Sequence, residues 1–244
     1  RVSLFNVKHY ICIAFLETMR KTTTLILFKK KSLFLIALLF AGGVFAKENE
    51  QNLENPSAKE TQKQEIKEYI KCSQDPIYFI KNYIQIVSLD KGLVPFELWD
   101  FQEEVVETVH NNRFVICKFP RQTGKSTTMI AYILHYVLFN DNMNVAILAN
   151  KLATARELLG RLQMAYEHLP KWLQQGVVVW NKGNIELENG SKIFAYATSA
   201  DGVRGGSYNL IFLDEFAFVP HNMAQDFFQS TYPVISSGQT TKVI

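Results

Sequence analysis

"RFVICKFPRQTGKSTTMIAYILHYVLF", residues 113–139, decides how the rest of the chain is read. Residues 113–119 form an apolar run rich in β-branched and aromatic side chains, the composition of a buried strand. Residues 127–139 form a strongly apolar helix. Between them lie Pro120, Arg121, Gln122, Thr123, Gly124, Lys125 and Ser126. Strand, glycine-bearing loop and helix is the arrangement that cradles phosphate oxygens, because loop N–H groups and the helix N-terminus converge on one anion. On that reading Gly124 lets the backbone approach the phosphates, Lys125 pairs with the β and γ phosphates, and the Ser126 hydroxyl ligates Mg²⁺. Gln122, Thr123 and Thr127 complete the nucleotide-binding stretch. Phe119 stands where the common form of such a loop has its first glycine, and a solitary TGKS also describes a capped helix with a surface lysine. A second motif is needed.

It comes at "YNLIFLDEFAF", residues 208–218. Leu210 to Leu213 form an apolar strand that ends in Asp214 and Glu215. Two carboxylates on the rim of a buried strand are costly unless something uses them, and Mg²⁺ with a polarised water would use both. Asp214 is then the Walker B metal residue, and Glu215 the general base that orients the attacking water. Upstream, "FELWDFQ" (96–102) offers Gln102, whose amide can bind an adenine edge, beside Trp99 or Phe101 as an apolar wall. A glutamine on the solvated face of a helix is the plain alternative.

The remaining segments frame these motifs. Residues 144–149 read as a buried strand, and "LATARELLGRLQMAYEHL" places Ala155, Leu158, Leu162, Ala165 and Leu169 on one helical face. Asn189-Gly190 between two alternating runs signals a type I′ hairpin. Strands that alternate with helices imply an α/β fold with a mostly parallel sheet flanked by helices, the hairpin being an insertion. Residues 65–87 hold two short amphipathic helices broken at Asp75-Pro76.

The chain has 244 residues, 48% of them hydrophobic and 20% charged, which excludes disorder throughout, and its net charge of +3 announces no partner. Cys12, Cys72 and Cys117 fit no metal-ligand spacing, as expected of a reduced intracellular protein. Residues 1–46 conflict with that: a basic stretch from Met19, the apolar run "SLFLIALLF" and "AGGVFA" have the layout of a signal peptide. The chain opens on Arg1, and this segment is read as a signal-peptide-like or extraneous leader. Residues 47–64 are read as a polar linker and 65–244 as one domain.

From about Ile66 to Ile244 the chain resembles the motor domain of the large terminase subunit of tailed bacteriophages, which packages DNA into the empty capsid. "RFVICKFPRQTGKST" is similar to that family's deviant Walker A, in which Arg-Gln precede Gly-Lys and the first glycine is commonly missing. "DPIYFIKNYIQIVSLDKGLVPFELWDFQ" resembles its adenine motif region, and "VAILANK", "WNKGNIELENGSKIFAYATS", "DGVRGGSYNLIFLDEFAFVP" and "YPVISSG" follow in the expected order. The resemblance implies a RecA-like (ASCE) P-loop NTPase fold and an ATPase that uses ATP and Mg²⁺ to drive double-stranded DNA into a procapsid. It also implies a portal protein and a small terminase subunit as partners, a homo-oligomeric ring, the host cytoplasm and no membrane. The family's coupling motif and nuclease domain would follow residues 240–244, so the reading is an ATPase domain cut short at its C-terminus, without nuclease residues.

Arg204 lies in "DGVRGG", a glycine-rich loop suited to an arginine finger that acts on a neighbouring subunit; Arg121, inside the phosphate loop, is the competitor in cis, and a solvated loop residue or a contact to the DNA backbone is the plain alternative for Arg204. A helicase-type DNA translocase, or a non-functional fragment fused to a leader, are the alternative readings of the whole.

Overall fold

The computed structural model describes residues 56–88, 90–198, 206–221, 224–227, 229, 238 and 240–244. The leader read at 1–46 lies outside them. The chain divides into two units, Arg1–Ile70 and Lys71–Ile244. In the first, every described residue belongs to helix α1 (Pro56–Gln74). The helix starts inside the stretch read as a linker. "PSAKETQKQ" puts proline in the first turn and strong helix formers after it, so local propensity extends the helix.

In the second unit, α1 ends before Asp75, whose carboxylate accepts the Tyr78 N–H at 2.9 Å and caps helix α2 (Pro76–Tyr83). This is the break expected at Asp75-Pro76. A small hairpin follows, β1 (Gln85–Ser88) antiparallel to β2 (Gly92–Pro95), and then helix α3 (Asp100–Asn111).

Helix α4 (Lys125–Phe139) is apolar on all sides, and residues Thr128 to Leu138 are almost all buried, so it runs through the interior rather than along the surface. Strand β3 (Asn144–Ala149) and helix α5 (Leu152–Glu167) follow. The five positions expected on the inner face of α5 and just beyond it, Ala155, Leu158, Leu162, Ala165 and Leu169, are all buried. Strands β4 (Val177–Trp180), β5 (Asn184–Leu187), β6 (Lys192–Ala197), β7 (Leu210–Leu213) and β8 (Lys242–Val243) complete a six-stranded sheet of order β4-β5-β6-β3-β7-β8. β6, β3, β7 and β8 are mutually parallel, and β4 and β5 extend the sheet antiparallel from β6. One layer of the core packs Ala146 and Leu148 of β3 and Ile211 of β7 against Tyr208 and Phe227.

Two expectations fail locally. The loop between β5 and β6 is not a type I′ turn. Gly190 has φ 80° and Asn189 is not among the positive-φ residues. Gly190 N–H donates to Leu187 O at 3.0 Å and Leu187 N–H to Ser191 O at 2.9 Å, which makes a three-residue loop closed by a left-handed glycine. Asn189 selects it: its side-chain amide donates to Val137 O and Asn140 O and accepts from Ser191 N–H, tying the loop to the end of α4.

The run 113–119 is also not a buried strand. Among the described residues it pairs with the sheet only through a parallel bridge of Phe114 with Val243, and Phe114 and Ile116 are 60% and 97% exposed. A strand is defined by its neighbour as much as by its composition. β8 offers two residues, and among the described residues 116–119 have no ladder partner.

Candidate functional site

The phosphate-loop residues form a tight self-bonded turn at the N-terminus of α4. Gln122 and Gly124 both adopt left-handed backbone, with φ of 62° and 75°. Glycine bears this freely, whereas Gln122 stores strain of the kind found at ligand-binding loops. Thr123 Oγ1 donates to Pro120 O at 3.0 Å, and Lys125 Nζ folds back onto Phe119 O and Pro120 O at 3.3 and 3.2 Å. Thr127 is half-buried in the first turn of the helix, and Thr128 Oγ1 donates to Gly124 O at 3.1 Å. Lys125 is thus held over the loop by neutral carbonyls, which an anion would outbid.

Strand β7 delivers Asp214 to the same place. Its N–H donates to Leu148 O at 2.8 Å, which continues the β3–β7 ladder by one residue, and the side chain is buried. Ser126 Oγ donates to Asp214 Oδ1 at 2.7 Å. Burial raises the Asp214 carboxyl above the ordinary carboxylate range; the Ser126 hydrogen bond, Lys125 and Arg161 oppose this, while Glu215 adds to it. Glu215 is exposed and has φ 51° and ψ 38°, a left-handed non-glycine residue that turns the chain sharply into the 3₁₀ turn Phe216–Phe218.

Gln102 stands behind the loop. Its Oε1 accepts the Trp99 N–H at 3.0 Å, which caps α3, and its Nε2 donates to Thr123 O at 3.0 Å. A Cβ on Gly124 would come within 2.6 Å of that nitrogen, so glycine is required there for space as well as for its φ. Gln102 is buried and keeps one N–H and one lone pair for any base. Trp99 is 67% exposed and packs edge-on against Phe101, which in turn leans on Phe119. The other end of α3 is held by Lys242 of β8, whose ammonium donates to Val109 O, His110 O and Asn112 O at 2.8–2.9 Å. Nothing in the spacing of the sequence points to this cap.

A cavity of about 750 Å³ opens beside the loop. Arg121, Lys125, Asp214 and Glu215 are its polar lining, and Phe114, Ile116 and Phe218 belong to its apolar lining. Arg121, Lys125, Ser126, Asp214 and Glu215 are thereby brought together; Gln102 reaches the loop from behind, and Arg204 lies outside the described residues.

A parallel sheet flanked by helices, with an antiparallel pair added at one edge and a glycine loop opening a buried helix, defines an α/β domain of RecA-like fold. Residues 116–244 match the family described as terminase large subunit, T4-like-virus type, N-terminal, and the chain belongs to that family. Among solved structures it is similar to the large terminase of bacteriophage HK97, with 19% identity and a TM-score of 0.59 over 70% of this chain and 36% of that one. It is also similar to an arginine-to-alanine variant of the large terminase ATPase domain of Thermus phage P74-26, with 16% identity and a TM-score of 0.52 over 61% of this chain and 64% of that one. The chain therefore spans about a third of the first and just under two thirds of the second.

Proposed function

We propose that residues 65–244 form the ATP-hydrolysing motor domain of a phage DNA-packaging enzyme. The observation that carries the reading is the 2.7 Å contact of Ser126 Oγ with Asp214 Oδ1, which joins two motifs 88 residues apart at one point. A hydroxyl and a carboxylate are hard oxygen donors that suit Mg²⁺, which keeps most of its shell for water and phosphate. Ser126 and Asp214 would hold that ion, which supplies charge neutralisation on the phosphates when bound. Lys125 leaves its loop carbonyls for the β and γ phosphates. The loop N–H groups and the N-terminus of α4 receive the same anion, with Gln122, Thr123 and Thr127 as the rest of the cradle. Glu215, exposed at the cavity mouth, orients and deprotonates the attacking water. Gln102 presents its remaining amide positions to adenine. Arg121 in cis, or Arg204 from a neighbouring subunit, stabilises charge on the transferring phosphoryl group.

The work done with this energy is translocation of double-stranded DNA into a procapsid in the host cytoplasm. A homo-oligomeric ring docked on a portal protein and served by a small terminase subunit would carry it out. Residues 1–46 are then a signal-peptide-like or extraneous leader outside the motor, and the linker read at 47–64 runs into helix α1 from Pro56 onward.

The test pairs two substitutions. Lys125→Ala should weaken ATP binding by about ten- to a hundredfold, the worth of hydrogen bonds to a charged group. Glu215→Gln should bind ATP as the unaltered protein does and hydrolyse it about 10²- to 10⁴-fold more slowly. Equal hydrolysis by Glu215→Gln and the unaltered protein would overturn the assignment.

A further inference from the structure

The phosphate loop and the turn after β7 meet at a second point, away from the metal side. The guanidinium carbon of Arg121 lies 5.3 Å from the centroid of the Phe218 ring. Phe218 is 54% exposed, an unfavourable setting for a large apolar side chain unless its face is used. The core does not need it: Phe216 is the residue of this turn that packs inward, against Phe227, and Val219 beyond it is buried. The left-handed backbone of Glu215, with the Phe218 N–H donating to Glu215 O at 3.0 Å, carries the ring back to the loop. Arg121 and Phe218 line the same cavity as Lys125, Asp214 and Glu215.

We propose that Phe218 is a positioning residue for Arg121, its ring face holding the guanidinium at the rim of the phosphate site. An exposed arginine otherwise spreads over many rotamers, few of which point at a phosphate. An aromatic face attracts the cation through its quadrupole and offers the planar group a flat surface, without a directional bond that would have to break. A phosphoryl group arriving at Lys125 then meets a guanidinium already nearby, and the cost of ordering it at the moment of reaction is reduced. Leucine at 218 keeps the apolar bulk and loses the face; tyrosine and tryptophan keep the face. The residue touches no reacting atom and acts only through Arg121.

This inference rests on ATP hydrolysis at this site. The experiment is steady-state ATPase kinetics on the full chain carrying Phe218→Leu, Phe218→Tyr and Phe218→Trp, each also in an Arg121→Ala background, with Lys125→Ala alongside. Phe218→Leu should lower kcat about two- to fivefold with little change in KM, the span of a solvent-exposed cation–π contact. Tyrosine and tryptophan should restore it, and Phe218→Leu should have no effect once Arg121 is alanine. A fall in kcat that tyrosine and tryptophan do not restore, or one of equal size in the Arg121→Ala background, would overturn the proposal, as would unaltered kcat in Phe218→Leu. The series at position 218 decides alone where the Arg121→Ala background is too slow to read. Hydrolysis that survives Lys125→Ala undiminished overturns the reading of the site itself.

Discussion

Replacing Gln102 separates two jobs that its position could perform. In the structure the side chain makes two hydrogen bonds, one capping α3 at Trp99 and one to Thr123 O in the phosphate loop. Each neutral bond contributes about 1 kcal/mol, so Gln102→Ala should cost about 2 kcal/mol of stability. In a domain of this size that is a fall in Tm of roughly 4–8 °C. Gln102→Glu keeps an acceptor for the Trp99 N–H but turns a carboxylate oxygen toward the Thr123 carbonyl, so it should loosen the loop while preserving the cap. Thermal unfolding followed by circular dichroism measures the first effect. Titration with ATP and with inorganic tripolyphosphate measures the second. A residue that holds the loop weakens both ligands alike; one that reads only adenine weakens ATP and leaves tripolyphosphate unchanged. Unchanged Tm in Gln102→Ala, together with a loss confined to ATP, would refute the loop-holding role.

Two further outcomes follow from other parts of the molecule. His135 is buried, with Nε2 2.8 Å from Cys72 O, and burial chiefly, with His110 adding and the Cys72 bond and Asp75 opposing, lowers its pKa to about 4 from 6.5. The unfolded chain therefore takes the proton first: this contribution to stability is complete above pH 6.5 and is lost as the pH falls toward 4, by at most about 3 kcal/mol. Urea unfolding at pH 7.5 and pH 5 should show this slope, and His135→Gln, which can still donate to Cys72 O, should flatten it; an equal slope in both proteins would count against it. Mixing Arg204→Ala with Glu215→Gln chains under assembling conditions should restore hydrolysis that neither shows alone if Arg204 acts across a subunit boundary, whereas co-assembly without recovery leaves Arg121 as the better candidate.

What the sequence could express was periodic or local. β3 and the Leu210–Leu213 strand were legible as short continuous apolar runs, the mark of strands buried on both faces, and the inner face of α5 by its helical spacing. The break at Asp75-Pro76 was legible because proline and aspartate act within one turn. Residues 113–119 misled, since their composition is that of a strand but strand pairing depends on residues 242–243, far along the chain. The hairpin loop turned on where the Asn189 amide found carbonyls in another element, and no dipeptide rule contains that. The meeting of Ser126 with Asp214 was anticipated from motif order, whereas the stacking of Arg121 on Phe218 had no signal beyond an aromatic shortly after an acidic pair.

The grip of Lys242 on the end of α3 sets an order of assembly. That lysine is 132 residues downstream of the His110 carbonyl it holds, and the Phe114–Val243 bridge spans a similar interval. On a ribosome, the glycine loop emerges on the order of ten seconds before the strand that fixes the segment leading into it. Until then the segment 113–119 lacks its pairing with Val243, and the loop lacks that part of its approach. A nascent chain can make α4 and β3 early, but the lead-in to its glycine loop gains a strand partner only once residues 242–243 are laid down.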